Sequence, residues 1–226
     1  MARRSKEEAA ATREGILDAA EGLFVRQGVA RTTLQEIATA AGVTRGAVYW
    51  HFDDKGTLFN AMMGRATLPL ESELHKLAHS NPLNPLDELH QYILTVLRQT
   101  VENPQTRRVF EIATLKVEFV EEMDAVRQRR ASTFDKWMGR ATWRLTLAKE
   151  RRLLDTAIDP DTAALSIWIM VDGLLRTWLF DPDNFDLIKQ GAHMVGKYFD
   201  GLRAATGSAS RSVDGPSRHV DRPYPI

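Results

Sequence analysis

The chain contains no cysteine, which excludes disulfide bonds, thiolate catalysis and cysteine-ligated metals. It also carries no net charge, because 30 Lys and Arg residues balance 30 Asp and Glu residues. Residues 1–60 are balanced too, with eight residues of each sign. Gross charge therefore gives no support for nucleic-acid binding, and any contact with DNA would depend on where individual basic residues lie.

The sequence also lacks an evident membrane segment or export signal. No apolar run reaches the roughly 18 residues that suggest a transmembrane helix. The first residues, MARRSKEEAAATRE, are charged from the outset and contain no apolar segment of the kind found in secretory signals. These features predict a cytoplasmic protein that does not associate with membranes.

Sustained period-2 alternation is absent, whereas helical periodicity runs through most of the chain. Glycines, capping residues and prolines divide this pattern into about nine helices and predict an all-α fold. Gly28 is expected to end the first helix as a left-handed cap, and Pro69 is expected to kink or stop the fourth. The later helices are expected at about 86–102, 105–119, 122–150, 160–180 and 185–205.

The region that ends in GVTRGAVYWHF has the pattern of a helix-turn-helix. A helix capped by Thr32 or Thr33 ends at Gly42, and Thr44 can cap a very short third helix that runs to about His51. The three N-terminal helices should form a small unit of their own, which docks on the fourth helix because it is too small to be stable alone.

The four adjacent rings at the end of the third helix need an explanation, because a short helix rarely surrounds itself with large rings. Phe52 falls on the same helical face as Val48 and is predicted to be core. Tyr49 and Trp50 could also fill a core, but they share a stripe with Arg45, which favours an outward position. His51 falls on the border between the two faces.

The chemistry of the outward stripe suits DNA. Arg45 can donate two hydrogen bonds to the O6 and N7 atoms of guanine, so it is the best candidate for direct base recognition. Gly46 has no side chain and would let the helix backbone approach the groove. Tyr49 and His51 can donate to phosphates, and Trp50 can pack on a sugar.

Two further positions could hold phosphates at helix N-termini. Lys55 is expected in the first turn of the fourth helix, where a cation opposes the helix dipole unless a bound anion compensates it. Thr33 could hold another phosphate at the start of the second helix. The basic cluster Arg3, Arg4 and Lys6 could add a DNA-binding arm, or it could be an ordinary solvated terminus.

Over about residues 10–60 the chain resembles the DNA-binding region of the TetR family of bacterial repressors. The resemblance is carried by ILDAAEGLFVRQGVARTT and TTLQEIATAAGVTRGAVYWHFDDKGTLF. The positions that match the family pattern are Gly42, Val43, Gly46, Tyr49, Phe52 and Lys55. The stretches RRVFEI, VRQRR and VDGLLRTWL extend the similarity to the AcrR- and TtgR-like group, whose members control multidrug efflux pumps.

The resemblance implies a homodimer formed through the last two helices, a palindromic double-stranded operator and an inducer pocket in the C-terminal body. It predicts an N-terminal arm (1–9), a DNA-binding domain (10–60), a ligand-binding and dimerisation domain (61–206) and a disordered tail (207–226). The expected operator-facing residues are Thr33, Thr44, Arg45, Gly46, Tyr49, Trp50, His51 and Lys55.

The C-terminal body has the features of a sensor for a small hydrophobic inducer. The helix at 160–180 is apolar on nearly all sides, so it should be buried in a core or between subunits. Within it, Asp172 and Arg176 could form an ion pair that satisfies itself, or they could anchor a ligand in an apolar pocket. The predicted ligand-binding residues are Leu89, Ile93, Val96, Phe110, Thr114, Phe134, Trp137, Trp168, Asp172 and Arg176.

The sequence favours a ligand-responsive repressor of a multidrug efflux operon, with no enzymatic activity and no cofactor. His75 and His79 have the spacing of a metal pair but no third ligand at a useful distance, so no metal site is expected. Three alternatives remain at this point. The chain could regulate a metabolic or catabolic operon, it could be a helical enzyme whose YWHF segment lines an active site, or it could be a helical interaction module without DNA binding.

Overall fold

The computed structural model describes residues 2–79, 83–117 and 124–204, and the regular structure of this part of the chain is helical, as predicted. The helices in these ranges are α1 (Ala2–Gln27), α2 (Leu34–Ala40), α3 (Arg45–His51), α4 (Lys55–His79), α5 (Pro85–Glu102), α6 (Pro104–Leu115), α7 (Asp124–Glu150), α8 (Pro160–Phe180) and α9 (Leu187–Leu202). The predicted tail, residues 207–226, and the side chains of His75 and His79 lie outside the described residues.

Local signals set the ends of the first four helices. Gly28 and Gly42 adopt positive φ values of 82° and 68°, which favour glycine and turn the chain after α1 and α2. The Thr44 hydroxyl accepts the backbone N–H of Ala47 at 3.1 Å and caps α3. Asp54 caps α4 in the same way, with its carboxylate 2.6 Å from a backbone nitrogen in the first turn.

The helix ends bear on three expectations. α1 begins at Ala2, so residues 2–9 are helical and continuous with the first helix. Of the two outcomes expected at Pro69, a kink or a stop, the stop does not occur: α4 continues to His79, and Ala66 and Leu70 are buried on either side of the proline. α6 ends at Leu115 rather than at residue 119.

The end of α6 is tied to the N-terminal unit. The carbonyl oxygen of Lys116, the residue after the helix, accepts the backbone N–H of Val29 at 3.0 Å. Val29 lies in the turn between α1 and α2 and is fully buried. A main-chain hydrogen bond therefore joins the end of α6 to the turn that precedes the second N-terminal helix.

Two hydrophobic cores stabilise the molecule. The first is formed by α1 to α4, and it is closed by Val109 and Ile112 from α6 and by Val126 from α7. The second is formed by α5, α7, α8 and α9. The N-terminal unit thus depends on the body for part of its core, as expected of a unit too small to be stable alone.

Helix α8 is more apolar than the rest of the described chain, and one of its sides is exposed in the single chain, which leaves open burial between subunits. Within the described ranges it is the single helix long and apolar enough, by length and composition, to cross a membrane, although no such segment was expected. It packs against α6, α7 and α9 on one side. Its other side is not buried within one chain, because Ile169 is 60% and Phe180 80% exposed.

Candidate nucleic-acid interface and ligand pocket

The rings of α3 separate as their helical phase predicts. Val48 is fully buried and Phe52 is 2% exposed, so both belong to the core of the N-terminal unit. Tyr49 is 44% and Trp50 is 73% exposed. The structure therefore confirms that Phe52 points inward and that Tyr49 and Trp50 share the outer surface with the exposed Arg45.

Arg45 and Tyr49 contact each other on this outer surface. One guanidinium nitrogen of Arg45 donates to the Tyr49 hydroxyl at 3.1 Å, and the guanidinium carbon lies 5.4 Å from the centroid of the Tyr49 ring. Gly46 is exposed beside them, and an added Cβ would meet only the Thr44 hydroxyl at 3.8 Å. The face thus presents a cation and a phenol next to accessible helix backbone.

His51 sits at the edge of this surface. Its ring packs edge-on against Trp50, with centroids 4.5 Å apart. Partial burial lowers the pKa of His51, and the positive charge of Arg13 lowers it further. The imidazole is therefore neutral at pH 7 and can donate one hydrogen bond to a phosphate, without adding a charge.

Lys55 has a structural partner that sequence reasoning did not foresee. Its ammonium donates to the carbonyl oxygens of Ala30 and Thr32, at 3.0 and 3.1 Å. These two carbonyls belong to the turn between α1 and α2. A cation in the first turn of α4 is thus explained without a bound phosphate, which removes the argument that led to a phosphate site there.

Thr33 likewise has a local role. It forms a reciprocal capping box with Glu36, in which the carboxylate accepts the Thr33 backbone N–H and hydroxyl, both at 2.8 Å. The backbone N–H of Thr33 is the main cause that lowers the pKa of Glu36, and the Thr33 hydroxyl adds to it. An ionised carboxylate therefore occupies the N-terminus of α2, where it would repel a phosphate.

A cavity of about 280 Å³ lies between α4, α5, α6, α7 and α8. Seven of the predicted ligand-binding residues line it: Ile93, Val96, Phe110, Thr114, Trp137, Trp168 and Asp172. The lining also includes residues that the sequence reasoning missed, which are Phe59, Met63, Thr67, Leu70, Tyr92, Ala113, Val126, Arg129, Arg130, Thr133, Val171, Leu175 and Leu179. Among these, the α4 positions 59, 63, 67 and 70 follow a helical stripe that could have indicated a second apolar face.

Three predicted ligand-binding residues do not line the cavity. Leu89 is packed in the second core. Phe134 contacts the ring of Trp168 edge-on, with centroids 5.4 Å apart, and supports the wall from outside the lining. Arg176 lies beyond Asp172 on α8; the two side chains form the ion pair that the sequence suggested, at 3.7 Å, and both are half-exposed in the single chain.

The charged residues of the pocket form two links between helices. Arg129 on α7 donates to the hydroxyl of Thr67 on α4 at 3.2 Å. Arg130, also on α7, lies 3.7 Å from the carboxylate of Asp172 on α8.

The indole N–H of Trp137 is buried, and no acceptor for it occurs in the described part of the chain. Hydrogen-bond donors thus predominate among the polar groups of an otherwise apolar pocket.

Helix α6 belongs to both functional regions. Its residues Phe110 and Thr114 line the pocket, whereas Val109 and Ile112 are fully buried in the core of the N-terminal unit. A displacement of this helix by a ligand would therefore also change the packing behind α1 and α4.

A buried carboxylate ties α6 to the N-terminal unit a second time. Glu21 on α1 is only 4% exposed, and it accepts from Arg108 on α6 at 2.7 Å and from Arg65 on α4 at 3.0 Å. Arg65 also donates to Asp18 at 2.7 Å and to Glu14 at 3.2 Å. We call Glu21, Arg65 and Arg108 the Glu21 cluster; it joins the first helix to α4 and α6.

Two family models match the sequence. The model for bacterial regulatory proteins of the tetR family matches residues 16–62, and the model for the C-terminal region of MAATS-type transcriptional repressors matches residues 84–204. The first covers the helix-turn-helix and the start of α4, and the second covers most of the body that contains the pocket.

Relatives and solved structures agree with these matches. The HTH-type transcriptional regulator TtgR of Pseudomonas putida is 38% identical over 203 residues, which cover 90% of this chain and 97% of that protein. The HTH-type transcriptional regulator AcrR of Shigella flexneri is 40% identical over 196 residues, with coverages of 86% and 91%.

Among solved structures, the chain is similar to NalD, the secondary repressor of the MexAB-OprM multidrug efflux pump in Pseudomonas aeruginosa. It superposes with a TM-score of 0.81 at 33% identity, covering 88% of this chain and all of that one. A SmeT–triclosan complex gives 0.78 at 30% identity, with coverages of 92% and 100%.

These relatives are transcriptional regulators, which overturns the alternative that the YWHF segment belongs to an enzyme active site. The helix-turn-helix geometry of α2 and α3, the two family models and the relatives over nearly the whole length lead to the same conclusion. This chain belongs to the TetR family of bacterial transcriptional regulators and is not an enzyme.

Proposed function

We propose that the chain is a ligand-released repressor that binds a palindromic operator as a homodimer and controls the genes of a multidrug efflux pump. The observation that carries ligand control is the double role of α6, which contributes both to the pocket wall and to the core of the N-terminal unit. Efflux as the controlled activity is supported by the similarity to NalD, a repressor of a multidrug efflux pump. A protein that binds chromosomal DNA acts in the cytoplasm.

The proposed dimer uses the outer side of α8 together with α9. Leu165, Ile169 and Phe180 on α8 and Met194 on α9 are large apolar side chains with at least 40% exposure. Apolar surface of this kind normally marks an interface. A second copy packed there by two-fold symmetry would form a four-helix bundle and set the spacing of two α3 helices, which needs to be about 34 Å for adjacent major grooves.

In the proposed complex, α3 enters the major groove with its N-terminal end. Arg45 leaves the Tyr49 hydroxyl and donates to guanine, while Tyr49, Trp50 and His51 contact the sugar-phosphate backbone. Gly46 allows the close approach. Thr33, Thr44 and Lys55 act through helix caps and the α1–α2 turn, so their contribution is to hold α2 and α3 in position.

Release by an inducer is a shift between two arrangements of the dimer. A ligand in the pocket contacts α4 through Phe59 and Met63 and α6 through Phe110. If it binds more tightly to the arrangement in which α4 and α6 are displaced, it lowers the population that fits the operator. The main-chain bond from Val29 to Lys116 would carry the displacement of α6 to the helix-turn-helix.

Selection of bound sequences from a random DNA pool tests operator recognition directly. The enriched sequences should be palindromic, and affinity should fall steeply with salt. Arg45→Ala should weaken binding to the selected operator by about 1–3 kcal/mol and relax the base preference at one position per half-site. Trp143→Ala, a change of an exposed aromatic far from α3, serves as the control and should bind normally. A random pool that yields no enriched sequence at low salt would contradict the proposal.

The regulated genes are tested separately. The dimer should bind the DNA upstream of an efflux operon in the native genome, and triclosan or a related two-ring compound should reduce this binding. If the efflux assignment is wrong, mapping the DNA sites that the protein binds across the genome should identify a metabolic or catabolic operon instead.

A further inference from the structure

We propose that Asp172 and Arg176 of α8 form ion pairs across the dimer interface, each Asp172 with the partner's Arg176, and that the second copy thereby completes one wall of the ligand pocket. This inference rests on the proposed function in one respect, namely that two copies pack through the outer side of α8. It goes beyond it by assigning the charged residues that align the two copies. The experiment measures assembly without DNA or inducer, so its failure differs from a failure of operator recognition.

Five residues form one continuous stripe along the outer side of α8. They follow one another at intervals of three or four positions, which places them on the same face of a helix. Three of them are exposed apolar side chains, Leu165 by 40%, Ile169 by 60% and Phe180 by 80%. The other two are Asp172 and Arg176, whose side chains are 42% and 47% exposed. The face that a second copy would cover thus carries one acid and one base in its middle.

The ion pairs within one chain hold the Asp172 carboxylate only loosely. It lies 3.7 Å from Arg176 and 3.7 Å from Arg130 of α7. Both distances exceed the about 2.7–2.9 Å that is typical of a charge-assisted hydrogen bond. All three side chains are between 42% and 47% exposed, so their charges are solvated in the single chain. A dimer that covers this face removes water from Asp172 and Arg176, and buried charges are stable only when they are paired.

Two-fold symmetry determines how these charges can meet. If a residue contacts a second position in the partner, the second position also contacts the first residue of the partner. An axis that crosses the stripe between Asp172 and Arg176 therefore creates two identical ion pairs. An axis that passes through either residue would bring like charges together, which is unfavourable. In an antiparallel arrangement of the two α8 helices, the first axis also brings Ile169 to the partner's Phe180, so the apolar parts of the stripe meet as well.

A glycine lies beside the point where this axis would cross α8. Gly173 is exposed, and a Cβ added to it would meet no described atom of the same chain within 4 Å. Glycine in the middle of a helix is destabilising, and one reason for its presence is the close approach of another backbone. Since no described part of the same chain makes that approach, the second copy is the neighbour that Gly173 suits.

Asp172 belongs to the pocket as well as to the stripe. It lines the cavity together with Trp168 and Leu175 of the same helix. It therefore lies at the border between the face of α8 that lines the cavity and the face that is exposed. Its ion pair with the partner's Arg176 makes the pocket wall incomplete without the second copy. A ligand that moves this carboxylate acts on the interface through the same side chain.

Two charge reversals test the pairing. Asp172→Arg gives a stripe with two bases, and Arg176→Asp gives a stripe with two acids. Each variant alone should dimerise about 10-fold or more weakly than the unsubstituted chain in analytical ultracentrifugation, because like charges meet at the interface.

Co-expression of the two variants with different tags brings opposite charges together again. Native mass spectrometry should then find heterodimers well above the roughly one-half share that random pairing gives. Neither Asp172→Arg nor Arg176→Asp can restore the ion pair within a single chain. An excess of heterodimer therefore reports a contact between the two copies.

Asp124→Arg and Arg127→Asp are the matched control. Asp124 and Arg127 form an exposed pair on α7, 2.9 Å apart, and neither lines the cavity. The two changes alter the net charge by the same amounts as those on α8, and their co-expression should give heterodimers at the random share. An equal excess in the control would show a general attraction between oppositely charged chains and would overturn the proposal.

Ile169→Glu separates the two ways in which the inference can fail. It places a charge in the apolar part of the stripe and should disrupt the dimer if the outer side of α8 is the interface. Loss of the dimer in this variant, together with random pairing of the charge-reversed chains, would overturn the ion pair and keep the proposed interface. A dimer of the Ile169→Glu variant as stable as that of the unsubstituted chain would overturn both.

Discussion

The N-terminal unit and the pocket use aromatic residues in opposite ways. In α3 the rings are divided by helical phase, with Phe52 buried and Trp50 exposed within three residues of chain. In the pocket, five rings converge on one cavity, one from each of the five helices α4 to α8. The first arrangement follows from the local sequence, and the second depends on how distant helices pack. The exposed face of a single helix can thus be specified by local sequence, whereas a cavity between several helices cannot.

The largest expected effect tests the division of rings in α3. Phe52→Ala should lower the free energy of unfolding by about 3–5 kcal/mol, because it leaves a cavity in the core of the N-terminal unit. Trp50→Ala, two positions earlier, should change stability by less than about 0.5 kcal/mol while weakening operator binding. Chemical denaturation and DNA titration of the two variants measure both quantities. Similar stability losses in the two variants would contradict the division.

The next prediction concerns the Glu21 cluster, where the two regions meet. Glu21→Gln should cost about 1–3 kcal/mol of stability, because a buried charge-assisted acceptor of Arg65 and Arg108 becomes neutral. It should also reduce the factor by which a pocket ligand lowers operator affinity, with the ligand affinity itself preserved.

Glu14→Gln is the matched control for this variant. Glu14 contacts the same Arg65 at 3.2 Å but its side chain is 48% exposed, so the change should cost less than about 1 kcal/mol. Denaturation and ligand-dependent DNA titration apply to both. If the control uncouples ligand from DNA as strongly as Glu21→Gln does, burial of Glu21 has no special role.

A smaller effect separates the two roles considered for Lys55. If its ammonium holds the carbonyls of Ala30 and Thr32, Lys55→Met should weaken operator binding modestly and leave the salt dependence of that binding unchanged. A lost phosphate contact would instead reduce the slope of log affinity against log salt by about 1. Titrations at several salt concentrations decide between the slopes.

The smallest expected effect involves the pH dependence contributed by His51. Because burial and Arg13 lower its pKa in the folded state, protonation favours the unfolded chain. Its contribution should be absent above the unfolded pKa of about 6.5, and the protein should lose stability as the pH falls below that value. His51→Asn should flatten this part of the profile of unfolding free energy. An unchanged profile would show that other groups, such as His90, account for it.

The same contrast explains what could be predicted from sequence. The cap at Thr44 and the turns at Gly28 and Gly42 depend on neighbours within a few residues, and they were predicted correctly. At the second helix the sequence offered Thr32 or Thr33, and the cap is Thr33. The role of a residue could not be predicted when its partner is distant in the sequence. Lys55 is the clearest case, since the carbonyls that it contacts lie 23 and 25 residues earlier in the chain.

The pocket shows the same limit at a larger scale. Ile93 and Trp137 were predicted to line it and do so, because apolar stripes identify the inner faces of helices. Leu89 and Phe134 lie on related stripes but fall outside the lining, since the rotation of each helix within the packed body decides which part of a stripe faces the cavity. Phe59 and Met63 on α4 were missed, because the predicted pocket contained no position from that helix.

The bond between Val29 and Lys116 has a consequence for how such a protein can change. It uses only main-chain atoms, and any residue other than proline can supply the donor at position 29. Substitutions on the inner face of α6 can therefore alter which compounds are recognised without removing this connection to the helix-turn-helix. New ligand specificities can therefore be selected, in evolution or in the laboratory, while the main-chain hydrogen bond between α6 and the helix-turn-helix is retained.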